Sequence, residues 1–274
     1  MAIQILSDLH LDVPKSYNVF EIEPRAPHLA LLGDIGNVVA HQDDFLRFLA
    51  RQLQRFRTVM FVPGNHEVYH SSWPETLDIL HAFEEDTRAR QDPSMGEFFV
   101  LDRRAVRLAD SDTVVLGCSL FSHVPPERRL DVRTGMNDFL LIDGWDVDAH
   151  NEAHARDLAW LNARVAELER PGHRRRANIA ILSHWSPTVD PRAVDPDGKH
   201  AATRISVAFS TDLSGEPCFR SASVKLWAFG HTHYNCDFVV DREDGAGPLR
   251  LVTNQRGYYF ARSKGFDGGK TVEV

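Results

Sequence analysis

Five short stretches carry the side chains best able to bind and activate something. They are "SDLH" (Asp8, His10), "GDIG" (Asp34), "GNHE" (Asn65, His66), "SHW" (His184) and "GHTH" (His231, His233). Each follows an apolar run, so each sits where a buried strand would end. With His66 set aside, they offer two carboxylates, one amide oxygen and four imidazoles, and no thiolate. Mixed oxygen and nitrogen donors suit borderline divalent ions such as Mn²⁺, Fe²⁺ or Zn²⁺, whereas structural zinc favours close-set cysteines. Seven donors are too many for one tetrahedral ion and fit two ions that share a carboxylate. Left unpaired in an interior, so many polar groups would be costly to desolvate. In extended backbone, residues two apart point to one side. Asp8 with His10, and His231 with His233, are therefore each expected to face a common centre. Gly33, Gly64 and Gly230 permit sharp exits from the strands.

The elements that must position these groups are legible. "AIQIL", "HLALL" and "TVMFV" are short, apolar and β-prone, as are "GEFFVLD", "RAVRLA", "DTVVLGCSLF", "ANIAILS" and "VKLWAF". "CDFVVD" and "PLRLVTN", joined by the turn-rich "REDGAG", predict a closing hairpin. Phe45, Leu49, Leu53 and Phe56 form one face of a helix over 43–56, and Leu158, Leu161, Val165 and Leu168 one face of a helix over 150–169. A third helix is expected over 74–90, with Pro74 at its first turn. The pattern predicts a mixed α/β sandwich with helices outside, in which ligands collect at the carboxyl ends of strands. Two long segments, 122–149 and 186–222, fit the scaffold poorly and are expected to be lids or walls of a substrate site, or solvated decoration.

Composition narrows the class. An apolar fraction of 43% and a charged fraction of 26% are those of a globular protein. A net charge of -8 with no clear basic stripe makes nucleic acid and acidic membrane surfaces unexpected partners. Cys118, Cys218 and Cys236 are too few and too odd in number for a disulfide framework and are expected as thiols. No apolar run approaches the ~20 residues of a membrane span, and the start "MAIQILSDLH" lacks a signal-peptide pattern. The expected compartment is the cytoplasm.

The order D-x-H, G-D, G-N-H-E, H, G-H-x-H over residues 8–233 resembles the calcineurin-like metallophosphoesterases. "KLWAFGHTHYNCDF" and "NQRGY" are especially similar to fungal members of that superfamily. The resemblance implies one domain over 1–274, a four-layer α-β-β-α sandwich of two mixed sheets, and a dinuclear metal site at the strand carboxyl edge. It implies one ion held by Asp8, His10, Asp34 and His233, and another by Asp34, Asn65, His184 and His231, with Asp34 bridging. Manganese is the first expectation for both ions, with iron or zinc as alternatives. His66 would stand outside the ligand set and face substrate, and Glu67 would orient a nearby histidine. The implied activity is hydrolysis of a small-molecule phosphate monoester or diester by hydroxide activated between the metals. A nuclease or cyclic-nucleotide phosphodiesterase of the same superfamily, or a non-catalytic metal-stabilised scaffold, are the alternatives. The serine/threonine phosphatases of the superfamily carry an Asp-Arg pair after G-D and an arginine before G-N-H-E. Here those places read "GDIGNVV" and "VPGNHE", without the phosphate-gripping arginines.

Further candidates for substrate contact are Asn137 and Asp138 in "GMNDF" and Arg256 in "TNQRGYY". His150 and His154, spaced for one helix face, are expected to be solvated, and "HRRR" at 173–176 to be a charged turn. No nucleophile elbow, P-loop or dinucleotide fingerprint is present.

Overall fold

The apolar runs become thirteen strands among the residues described in a computed structural model, which are 1–109, 111–170, 178–196, 203–242 and 246–274. In chain order they are β1 (Ala2–Leu6), β2 (His28–Leu32), β3 (Thr58–Val62), β4 (Glu97–Val100), β5 (Arg104–Arg107), β6 (Thr113–Cys118) and β7 (Asn178–Ser183), then β8 (Val224–Phe229), β9 (Asp237–Asp241), β10 (Pro248–Thr253), β11 (Gly257–Tyr258), β12 (Ala261–Arg262) and β13 (Thr271–Glu273). One sheet runs β13-β1-β2-β3-β4 and the other β5-β6-β7-β8-β10-β9. In the first, β1 to β4 are parallel; in the second, β6, β7, β8 and β10 are parallel, and antiparallel strands close the edges. A separate two-stranded hairpin pairs β11 with β12.

Alternation along the parallel strands divides their side chains between an inner and an outer face. The inner faces meet in one cluster, with Ile3, Ile5, Ala30, Leu32, Met60 and Val62 opposite Val115, Ala180, Leu182, Leu226, Ala228 and Val252. The helices are α1 (Gln42–Leu53), α2 (Trp73–Arg90), α3 (Arg129–Gly135), α4 (Asp138–Leu141), α5 (Val147–Leu168) and α6 (Pro217–Arg220). Phe45, Phe48, Leu49 and Leu53 of α1 cover the outer face of the first sheet against Leu29, Leu31, Val59 and Phe61. Leu161 and Val165 of α5 cover the second against Val114, Leu116, Ile179 and Ile181. The result is the expected four-layer α-β-β-α sandwich. Local signals set the helix starts: Ser72 caps α2 by accepting from Glu75 N, and Asp146 caps α5 by accepting from Ala149 N.

Departures from expectation are local. Segment 122–149 is largely helical, holding α3, α4 and the start of α5. His150 and His154 are buried, not solvated: His150 Nε2 accepts from Ser122 N, and His154 Nδ1 donates to the Leu120 carbonyl. The "HRRR" turn and residues 243–245 of "REDGAG" lie outside the described residues, but β9 and β10 pair antiparallel as the hairpin requires. All three cysteines are free thiols. Among the described residues no helix is long and apolar enough to cross a membrane.

Register places the motif-bearing turns together. Leu32 pairs with Val62, and Leu182 with Ala228, so the exits of β2 and β3 share one edge, as do those of β7 and β8. A bridge from Ser7 to Gln255 and a bond from Asn254 Nδ2 to the Ile5 carbonyl (2.7 Å) tie the end of β10 to that of β1, across the two sheets. Leu182, fully buried between the sheets, gives a test of this core. Leu182→Ala is expected to lower stability by ~2–5 kcal/mol, read as a lower denaturant midpoint at unchanged m-value.

Candidate metal centre

The strand ends deliver their side chains into two adjoining clusters. One donor atom from each of Asp8, His10, Asp34 and His233 lies within 4.8 Å of the others, and the same holds for Asp34, His184 and His231. Asn65 joins the second cluster, its Oδ1 lying 3.2 Å from His184 Nε2. The seven candidate ligands from five turns therefore come together, with Asp34 common to both groups.

The route differs from the expected one in a specific way. Asp8, His10, Asp34, His231 and His233 all have left-handed backbone, with φ of 51, 45, 53, 68 and 52°. His231 and His233 are thus not on one face of an extended strand: they turn apart, one to each cluster. Asp and His tolerate this region better than most residues, and surrounding contacts hold it. Asp8 accepts from His231 N through both carboxylate oxygens (3.1 Å each), and Gln255 Oε1 accepts from His233 N (2.5 Å).

Glu67 is the central brace. Its Oε2 accepts from Asp34 N (2.8 Å) and Gly64 N (2.7 Å), and its Oε1 from Ile35 N (2.7 Å) and Gly36 N (3.1 Å). Four N–H donors aimed at its two oxygens favour the carboxylate, against burial and the neighbouring Asp34 charge, which push its pKa up to about 7. It therefore shapes the Asp34 loop through the backbone, rather than by orienting a histidine as expected. Gly64 makes room beside it, since a Cβ there would come within 2.4 Å of Asp34 Oδ1.

Side chains next to the clusters fix their orientation. His184 Nδ1 donates to the Leu32 carbonyl (2.7 Å), which aims Nε2 at Asp34 Oδ1, 3.3 Å away. Asn65 Nδ2 donates to Tyr69 Oη and to Asp138 Oδ1 (2.9 Å each), which turns Oδ1 toward the cluster. Tyr69 donates to the same Asp138 oxygen (2.7 Å). Asp138 is thus a buried positioning group for Asn65 and not free for substrate. Arg256 is also turned away: Nη1 donates to the Leu9 carbonyl (2.6 Å), and the guanidinium lies over Phe20. Asn137 does line the cavity.

His66 sits at the edge of the clusters. Its backbone N–H donates to Asp34 Oδ1 (2.9 Å), its Nδ1 lies 3.4 Å from Asp12 Oδ2, and its Nε2 is 3.0 Å from Tyr258 Oη. Tyr258 also stacks on His10 at 4.0 Å. Asp12, Tyr69 and Tyr258 were not singled out from sequence. Only Asp12, two residues past His10 in "SDLHLD", carried a local signal. Beyond lies a cavity of about 200 Å³, walled by Met136 and Asn137 from the first long segment, Ile205 and Phe209 from the second, and Tyr258.

The electrostatics fit cations. Burial and neighbouring imidazoles hold His10 and His231 well below the usual histidine range, so both are neutral electron-pair donors. Burial opposes charge on Asp34, His184 and His66, yet their mutual attraction wins. Asp34 is held well below the carboxylate range, and His184 and His66 are pushed up to about 9. Two buried nitrogens, His10 Nδ1 and His231 Nε2, have no hydrogen-bond partner, and His10 Nε2 faces His233 Nε2 at 2.9 Å. Lone pairs converging on one another, with carboxylates drawing positive charge inward, suit the chemistry of bound divalent ions.

A double-sheet sandwich with such clusters at the carboxyl edge defines a protein built to hold divalent ions. The family model for calcineurin-like phosphoesterases matches residues 1–235, and the chain belongs to that family. It is 23% identical over 287 residues to "Uncharacterized protein L509" of Acanthamoeba polyphaga mimivirus, covering 95% of this chain and 92% of the viral one. A solved structure of phosphopantetheinyl hydrolase from Mycobacterium tuberculosis shares the fold, with a TM-score of 0.64 and 16% identity over 94% of this chain and 89% of that one. A dimetal phosphatase from Danio rerio superposes with a TM-score of 0.46 at 15% identity, over 92% and 86%.

Glu67→Gln would set an amide N–H₂ against backbone N–H donors. The expected loss is ~1–3 kcal/mol per donor left unsatisfied, with reduced metal content, measured by urea unfolding and elemental analysis. Asp138→Ala, which frees the Asn65 amide to rotate, is expected to weaken metal affinity ~10–100-fold, measured by competition with a chelating dye.

Proposed function

We propose that the protein hydrolyses a phosphate monoester or diester of a small molecule using two divalent ions, Mn²⁺ being well suited to the donor set. Asp8, His10, Asp34 and His233 would hold one ion, and Asp34, Asn65, His184 and His231 the other, with Asp34 shared. Bound there, the ions supply Lewis-acid charge to the phosphoryl oxygens and lower the pKa of water enough for attack at neutral pH. The observation that carries this reading is the meeting of two donor clusters on the single carboxylate of Asp34.

The chain's own residues supply the rest. Asp34 Oδ1 anchors the His66 backbone and Asp12 faces Nδ1, which leaves Nε2 at the cavity wall on Tyr258 Oη (3.0 Å), a partner it would exchange for the leaving oxygen. From there His66 donates a proton to the leaving oxygen, a contribution of ~10²–10⁴ in rate. Tyr258, whose hydroxyl burial pushes up and keeps protonated, holds the His66 ring in place. Met136, Ile205 and Phe209 exclude water from the far wall.

The test uses p-nitrophenyl phosphate and its bis-ester with Mn²⁺. Asp34→Asn is expected to lose both metal and activity. His66→Ala is expected to lose ~10²-fold or more in kcat while keeping its metal, and chelator should abolish wild-type turnover. Both variants fully metal-loaded and fully active would overturn the assignment.

A further inference from the structure

The cavity wall speaks to which ester fits. Apart from the candidate ligands and His66, the described residues lining it are Tyr69, Gly135, Met136, Asn137, Ile205, Phe209, Thr232 and Tyr258; none is Arg or Lys. The arginines within two residues of the wall are directed elsewhere, Arg133 of α3 lining a separate cavity. Arg204, before Ile205, reaches outward to Asp131 (3.8 Å) and is highly exposed, and Arg256 is bound to the Leu9 carbonyl. Of the polar wall groups, Tyr69 is bound to Asp138, Thr232 Oγ1 accepts from Gln255 Nε2 (2.9 Å) and Tyr258 meets His66, which leaves the neutral Asn137 amide and the Thr232 hydroxyl proton for a ligand.

From this wall we infer that the preferred substrate is a phosphodiester whose second ester group is apolar or aromatic, rather than a phosphate monoester. The inference rests on the phosphoesterase reading and narrows it. A monoester near neutral pH carries almost two negative charges on three free oxygens. Ions held by the two ligand sets would supply charge to two free oxygens, and His66 would supply a proton to the bridging one. For a third charged oxygen the described wall offers neutral groups only, the Asn137 amide and the Thr232 hydroxyl among the apolar Met136, Ile205 and Phe209, and a charge without a cationic partner there is costly. In a diester that oxygen carries an organic group, which those same side chains would bury favourably. Aromatic surface continues outward: Phe260, largely exposed, lies parallel to Tyr258 at 5.3 Å. The reaction forms a bond from water oxygen to phosphorus and breaks the bond from phosphorus to the leaving oxygen. That oxygen departs as an alcohol with the His66 proton, a proton from water restores His66, and the product is a monoester that the wall does not hold.

The experiment compares bis(p-nitrophenyl) phosphate with p-nitrophenyl phosphate on the Mn²⁺-loaded protein, and diphenyl phosphate with phenyl phosphate in calorimetric binding to the loaded His66→Ala variant. The expected result is a kcat/KM about tenfold or more higher for the diester, with tighter binding of diphenyl phosphate. Met136→Lys, and independently Ile205→Lys, each checked for unchanged melting and metal content, should shift both ratios toward the monoester. Faster monoester turnover, or tighter phenyl phosphate binding, would overturn the inference and leave the phosphoesterase reading standing. Turnover of neither ester would overturn both.

Discussion

One buried carboxylate organises the site without belonging to either donor cluster. Glu67 gathers four backbone N–H groups from the exits of β2 and β3. Without an acceptor there, those amides would be buried and unsatisfied, at a cost comparable to much of a small domain's net stability. With it, the Asp34 loop and the Asn65 turn become one rigid piece. The position of Asp34 relative to Asn65 and His184 is therefore set by the scaffold before any ion arrives, which is the condition for a preorganised site.

The same logic explains the backbone. Five candidate ligands sit in left-handed conformations that cost energy in isolation and persist only where surroundings over-determine them. Each is held by a contact from another part of the chain: His231 N by Asp8, His233 N by Gln255, Asp34 N by Glu67, Asp8 N by the Gly33 carbonyl and His10 N by the Asp34 carbonyl. Tight turns let a short stretch aim side chains two residues apart at different centres, which extended backbone cannot do. A pair such as His231 and His233 can then serve both clusters from a single loop.

Much of this was legible in the sequence, for identifiable reasons. Apolar runs ending in Gly, Asp, Asn or His mark buried strands and the polar turns after them, and five such turns in order implied a common edge. Sequence pattern located the three long helices, α1, α2 and α5, to within about three residues, but not the short α3, α4 and α6. What escaped was whatever depends on contacts between distant residues. The bonds from Asn65 to Asp138, and from His66 to Tyr258, span 73 and 192 positions, and no local pattern announces either. Hence neither the contact of Asp138 with Asn65 nor that of Tyr258 with His66 could be read from the sequence. The left-handed turns escaped because residues two apart share a side only where the backbone is extended, and residue type alone does not show where it is not. His150 and His154 were misjudged because helix spacing does not reveal which face a loop from elsewhere will cover.

The β11–β12 hairpin brings Tyr258 onto His10 and His66, yet its ladder is two residues long per strand and pairs with neither main sheet. It also lies after residue 235, where the family match ends. An element so loosely stitched to the sandwich can change length or composition at little cost to the core. This makes it a place where descendants of one ancestral hydrolase could acquire new preferences by remodelling a flap, while the ion-holding turns stayed as they were.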